Sequence, residues 1–220
     1  MTDHGTLQTI AYDKLLEMIY RGELEYDMIY SETRFTGQLA MSRTPIRDAL
    51  NRLARERYIE ILPSRGFRLH RPDSEDIYNA FHVRCMIEEY CGRYMAREIH
   101  RSKAQAAADR MRDALERQME AEKHASSVDL YDFWTLDREF HHAPLDYMNI
   151  SAFNSQYDSF IHIFMPQHLN GAFVAERVRS TIREHRLIYE SLLSGDETKT
   201  QEAIHAHLET SLRLDMISVD

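Results

Sequence analysis

Ser42-Arg43-Thr44-Pro45-Ile46-Arg47-Asp48-Ala49-Leu50-Asn51-Arg52-Leu53 reads as one short helix with two unlike sides. Ser42 suits an N-cap, and Pro45 falls in the first turn, where its missing N–H costs nothing. Ile46, Leu50 and Leu53 follow i, i+4, i+7 spacing and form an apolar stripe. Arg43 and Arg47 stand four apart on the opposite side, the type and spacing expected of side chains that meet guanine edges or phosphates.

The flanking sequence fits that helix into a larger unit. Upstream, residues 10–21 predict a helix with Ile10, Leu15, Met18 and Ile19 on one side, ended by Gly22. Ser31 or Thr33 opens a second helix ending near Ala40. Downstream, Ile59-Glu60-Ile61-Leu62 and Phe67-Arg68-Leu69 flank Pro63-Ser64-Arg65-Gly66 as a hairpin. Helix, helix, turn, helix, hairpin is the order of a winged helix-turn-helix, with the third helix placed to enter a major groove. A net charge of −9 taken alone opposes nucleic acid, but its distribution does not. Residues 34–71 carry nine arginines against three acids, whereas residues 72–220 carry 16 basic against 26 acidic side chains. A basic reading head on an acidic body is the expectation.

The join falls at Arg71-Pro72-Asp73, which predicts a DNA-binding domain over 1–71 and a helical domain over 72–220. In the second domain the pattern predicts about six helices, over 74–99, 102–124, 129–147, 151–166, 172–194 and 197–217, packed as an antiparallel bundle. The fold is therefore mostly α. Cys85 and Cys91 lie about 9 Å apart along a helix, too far for a disulfide, and are expected to be reduced core thiols. No apolar run approaches the roughly 20 residues of a membrane span, and the N-terminus has no signal-peptide pattern, so the chain is expected in the cytoplasm.

Twelve histidines are many for 220 residues, and several fall on apolar faces. Asp137 and His141 are one turn apart beside Phe133, Trp134 and Phe140. His185 lies on the stripe Val178, Ile182, Tyr189, Leu192, and His207 between Ile204 and Leu208. This spacing fits a divalent transition metal held between helices, and it also fits hydrogen-bonded core histidines that Asp137 merely orients. His142 and His205 should point away, and His162 and His168 have no assigned role. Arg84, on the side of Ala80, Phe81 and Ile87, points inward as an ion-pair partner of Glu88 or as a fork for an organic carboxylate.

Residues 42–53 together with Arg65-Gly66-Phe67 resemble the GntR-type regulators. That resemblance implies that Arg43, Thr44, Arg47, Arg65 and Gly66 meet double-stranded operator DNA, with Gly66 at the wing tip, where an approaching backbone must be unhindered. Phe35-Thr36 stands where that family usually has Leu-Ala. Glycine is usual at Ala40 and Arg57, Pro-Gly at Tyr26-Asp27, and a basic residue at Thr33. Asp137-x-x-x-His141, Glu184-His185-Arg186-Leu187, His207-Leu208, Arg84-x-x-x-Glu88 and Asn149 resemble the FCD ligand domain of FadR-like members. The resemblance implies a homodimeric regulator, in most cases a repressor. It also implies a metal (zinc first; nickel, manganese or iron also fit) on Asp137, His141, His185 and His207. A small carboxylate effector would sit near Arg84 and Glu88. The rival classes are a metal-dependent hydrolase or lyase using the same cluster, and a DNA-binding scaffold without a ligand. The hydrolase would need a general base, for which the pattern offers only Glu88, and it would have no use for a basic recognition helix.

Overall fold

A computed structural model describes residues 6–123, 130–164 and 172–219. The chain divides into two units, Met1–Arg71 and Pro72–Asp220.

In the first unit α1 (Leu7–Tyr20), α2 (Glu32–Gln38) and α3 (Arg43–Arg55) precede an antiparallel hairpin of β1 (Ile59–Leu62) and β2 (Gly66–Leu69). This is a winged helix-turn-helix. Its core joins Leu15 and Ile19 to Ile46, Leu50 and Leu53, the stripe read from the sequence, and to Phe35 and Phe67. Ser42 holds the N-cap position of α3 but makes no side-chain capping bond. Tyr30 adds a bridge to the hairpin: its N–H donates to Phe67 O at 2.8 Å and its carbonyl accepts from Phe67 N at 2.9 Å.

Three of the departures from the GntR pattern share one conformation. Asp27, Ala40 and Arg57 all have positive φ, at 66°, 51° and 61°. The usual glycine is absent while the left-handed backbone that favours it remains, at about 1–2 kcal/mol per residue. Ala40 is exposed, so its methyl group contributes no packing. Ala40→Gly is expected to stabilise this unit by about 0.5–1 kcal/mol once the added unfolded-state entropy of glycine is subtracted. A higher urea midpoint with an unchanged slope is the check.

The second unit is helical throughout its described residues. Asp73 caps α4 (Ser74–Arg84) with a capping box through Asp76. The helix expected over 74–99 carries a π-helical turn, Cys85–Glu89, before continuing as α5 (Tyr90–Arg97). Hydrophobic periodicity does not reveal such a turn, because it shifts the register by only one residue. Then follow α6 (Ser102–Lys123), α7 (Leu130–Met148), α8 (Ser151–Asp158), a short 3₁₀ segment (Ile161–Phe164), α9 (Ala172–Leu193) and α10 (Glu197–Val219). The helix expected over 151–166 stops at Asp158, whose carboxylate is bound from α7 by Arg138 and His142, each at 2.8 Å. Asn149, in the left-handed conformation, ends α7. Both cysteines are free, but only Cys91 is a core thiol, since Cys85 is half-buried. Among the described residues no helix is long and apolar enough to cross a membrane.

Candidate metal centre and nucleic-acid interface

Three imidazoles meet inside the bundle. His141 comes from α7, His185 from α9 and His207 from α10, each within 5 % of full burial. One donor atom from each lies within 4.8 Å of the other two. The arrangement behind them settles which nitrogen faces the centre. His141 Nδ1 donates to Glu88 Oε2 at 2.7 Å, His185 Nδ1 to Gln118 Oε1 at 2.9 Å, and His207 Nδ1 to Glu184 Oε2 at 2.7 Å. A neutral imidazole that donates from Nδ1 keeps a lone pair on Nε2.

The lone pairs face each other. His141 Nε2 and His185 Nε2 are 3.1 Å apart, and His185 stacks on Phe140 at 4.2 Å. Two acceptors at that distance repel unless something positive sits between them. Burial, and after it the electrostatic influence of His141, hold both His185 and His207 well below the usual imidazole range, so these two rings are neutral and able to act as ligands. Asp137 lies beside His185 and His141. Its Oδ1 lies 3.4 Å from His185 Nε2 and its Oδ2 4.0 Å from His141 Nε2. Oδ1 is buried without a hydrogen-bond partner among the described residues. Three converging imidazoles, a buried carboxylate oxygen without a hydrogen-bond partner among the described residues, and an acceptor behind every ring fit a divalent transition metal.

The supporting residues are those the sequence reading missed. Gln118 is fully buried on α6, within a run of helix-forming residues that gives no sign of it. Glu184 is adjacent to His185 in sequence yet serves His207, and it is held in turn by Arg177 at 3.1 Å. Glu88 was read as an effector contact. Its two oxygens bind Arg84 Nε at 2.5 Å and His141 Nδ1 at 2.7 Å, which makes it a support for the centre. Burial alone drives Glu88 up, but the Arg84 guanidinium and His141 outweigh that and hold its carboxyl down at about 2. Pro144, inside α7 one turn beyond the Asp137–His141 pair, removes a helix hydrogen bond next to the centre. A cavity of about 10 Å³ beside His141, lined by Glu88, Met111, Phe140 and Leu145 among others, has room for about one water. His142 and His205 turn away, to Asp158 and Glu89. The side chain of His162, and all of His168, lie outside the described residues.

In the first unit Arg43, Thr44 and Arg47 are exposed along one side of α3, while Pro45, Ile46, Ala49 and Leu50 are buried. Arg47 pairs with Glu32 on α2 at 3.2 Å. Arg52, counted in the basic segment, is turned away from that side, stacking on Tyr12 at 3.7 Å and bonding Glu56 at 2.9 Å. The wing turns at Leu62–Arg65, closed by Arg65 N–H to Leu62 O at 3.0 Å, with Ser64 at φ 62°. Arg65 is therefore at the exposed tip, and Gly66 is one residue inside it, as the first residue of β2.

Residues 7–69 match the model of the bacterial regulatory proteins of the gntR family, and residues 79–210 match the FCD domain. The chain belongs to the GntR family and carries an FCD domain. Across 215 residues this GntR regulator is 25 % identical to an HTH-type transcriptional regulator in an unstable DNA locus of Streptomyces ambofaciens, covering 94 % of this chain and 84 % of that one. It shares its fold with E. coli McbR/YncC (TM-score 0.80, 16 % identity, 98 % and 100 % of the two chains). The same holds for a GntR regulator from Rhodococcus sp. RHA1 (TM-score 0.75, 20 % identity, 97 % and 99 %). The family and the Streptomyces relative are transcriptional regulators, which disposes of the hydrolase alternative. The chain is a DNA-binding transcriptional regulator.

Proposed function

We propose that this regulator is a cytoplasmic, homodimeric repressor whose operator binding is controlled by a small organic carboxylate at a metal centre in the FCD domain. The observation that carries this is the convergence of three Nε2 lone pairs with each Nδ1 already engaged. His141, His185, His207 and Asp137 would hold the ion, with zinc first on donor type and nickel, manganese or iron also compatible. When bound, the metal supplies a Lewis acid able to take a hard oxygen donor. Arg84, buried beside Glu88, supplies the positive charge for the rest of a carboxylate. Phe140 lines the cavity beside His141, and Phe133, Trp134 and Tyr189, packed in the same core, would wall a wider site. A cavity with room for about one water cannot take an organic acid, so the effector would select an arrangement in which the lining helices stand further apart. That difference is what could couple the ligand to the DNA-binding units.

On the DNA side, Arg43, Thr44 and Arg47 would contact the major groove, and Arg65 and Gly66 the wing site. One recognition helix reads only a few base pairs, which favours a two-fold dimer on a short palindrome. Arg43→Ala and Arg47→Ala are each expected to weaken binding to a selected operator by about 1–3 kcal/mol if the contact is to a base. Mobility shifts at fixed salt check this, and unchanged affinity in both would remove α3 from the interface.

The effector is tested by calorimetric titration of di- and tricarboxylates, sugar acids and amino acids into metal-loaded protein. Arg84→Lys keeps the charge beside Glu88 but loses the planar fork. A carboxylate should bind the wild type, bind Arg84→Lys at least roughly tenfold more weakly, and fail to bind His185→Ala. An uncharged effector, or affinity that survives both substitutions, would overturn the assignment.

A further inference from the structure

The π-helical turn has two faces, and the metal centre uses one of them. Glu88 points inward to His141, whereas Cys85 and Glu89, one turn apart, face α10 on the other side. On α10 the same division recurs, with His207 inward and His205 outward. The outward residues form a second cluster: Cys85, Glu89 and His205 each place one donor atom within 4.8 Å of the other two. We propose that Cys85, Glu89 and His205 are a second metal site, on the outer surface of the FCD domain, for a zinc-class divalent ion.

The donor set is selective. A thiolate with an imidazole and a carboxylate suits zinc or a similar borderline ion, and does not suit calcium or magnesium, which prefer all-oxygen shells. The carboxylate is already fixed. Gln201 Nε2 donates to Glu89 Oε2 at 2.7 Å, and Oε1 meets His205 Nδ1 at 2.9 Å. A surface Glu–His pair by itself contributes little and has no need of a cysteine beside it. The His205 side chain is 52 % exposed and that of Glu89 15 %, so an ion reaches the site from solvent and a water can complete a tetrahedral shell. Burial pushes the Cys85 thiol up to about 12, with Glu89 and Glu88 adding to the rise, so the sulfur stays protonated until a cation offsets that negative surround. Binding exchanges the thiol proton, released to solvent, for the metal–sulfur bond. An ion there would join the π-helical turn to α10, the two elements that also supply Glu88 and His207 to the inner centre.

The inner cluster contains no sulfur, which separates the two sites experimentally whether or not the inner one holds metal. The probe is Co²⁺ titrated into the reduced, full-length protein, read by thiolate-to-cobalt charge-transfer absorption in the near ultraviolet. The wild type and Cys91→Ser should both develop the band. Cys85→Ser should lack it, and His205→Ala should require at least roughly tenfold more Co²⁺ to reach it. No band in the wild type, a band surviving in Cys85→Ser, a loss confined to Cys91→Ser, or an unchanged titration in His205→Ala each overturns the proposal.

Discussion

In a Cys85→Ser background, which removes the sulfur of the outer site, His185→Ala should lose about one equivalent of bound metal and, with it, the response of the protein's stability to metal and chelator. His185 is fully buried, stacked on Phe140, and lies 3.1 Å from His141 Nε2 and 3.4 Å from Asp137 Oδ1. Its removal takes one of the four proposed ligands and leaves the buried Gln118 oxygen without its donor. Loss of a supporting partner alone typically lowers metal affinity by about 10–100-fold, so loss of a ligand is expected to exceed that. An ion bound only to the folded state, at about 1,000 times its dissociation constant, stabilises that state by about 4 kcal/mol. In that background the urea midpoint should therefore fall on chelation when His185 is present and stay where it is in His185→Ala. Gln118→Ala and Glu184→Gln should lie between, with metal retained at lower affinity. Equal metal content in wild type and His185→Ala after reconstitution would return the three histidines to packing roles. A truncated core side chain also costs about 2–4 kcal/mol for the space it leaves. A lower midpoint alone therefore decides nothing; the missing response to chelator does.

Much of this centre is legible in the sequence because helices repeat. Asp137 and His141 at i, i+4, and His185 and His207 on apolar stripes, are periodic signals that survive any error in helix ends. The supporting residues are not periodic. Gln118 and Glu184 reach their histidines from other helices or other turns, and nothing local distinguishes them from solvated residues. Glu88 shows how a local partner can be legible in the sequence while a long-range one is not. Its spacing from Arg84 predicts the ion pair, but only the tertiary structure brings in His141. The π-helical turn was hidden because Cys85–Glu89 has the composition of an ordinary helix, and the end of α8 at Asp158 because long-range bonds to α7 set it. In the winged unit the order of elements follows directly from turn and capping residues. The glycine-less turns at Asp27, Ala40 and Arg57 could be seen as departures, and the structure supplies their meaning: the backbone conformation stayed when the residue changed.

Gly66→Ala is expected to destabilise the winged unit strongly while leaving any metal binding by the FCD domain intact. The resemblance placed this glycine at the wing tip for the sake of DNA, but its surroundings in the free protein already demand it. Gly66 has φ +117°, a region that L side chains rarely adopt, and a Cβ built there would lie 2.1 Å from Tyr30 O and 2.9 Å from Tyr30 C. Those are backbone atoms, so no side-chain rotation relieves the clash. The strained φ alone costs about 1–3 kcal/mol. Moving Tyr30 away to make room breaks its two hydrogen bonds to Phe67. It also separates the aromatic trio Tyr30, Phe35 and Phe67, whose ring centroids lie 5.4–6.2 Å apart within the core. Together these losses reach roughly 4 kcal/mol or more, against a typical domain stability of about 5–15 kcal/mol. Arg65→Ala is the matched control: one residue away, exposed, and expected to weaken DNA binding with no change in the unfolding transition. If Gly66→Ala kept a normal cooperative transition and lost only operator affinity, the glycine would belong to the DNA contact. If the transition shifts down or disappears while metal content holds, it belongs to the seam between Tyr30 and the wing.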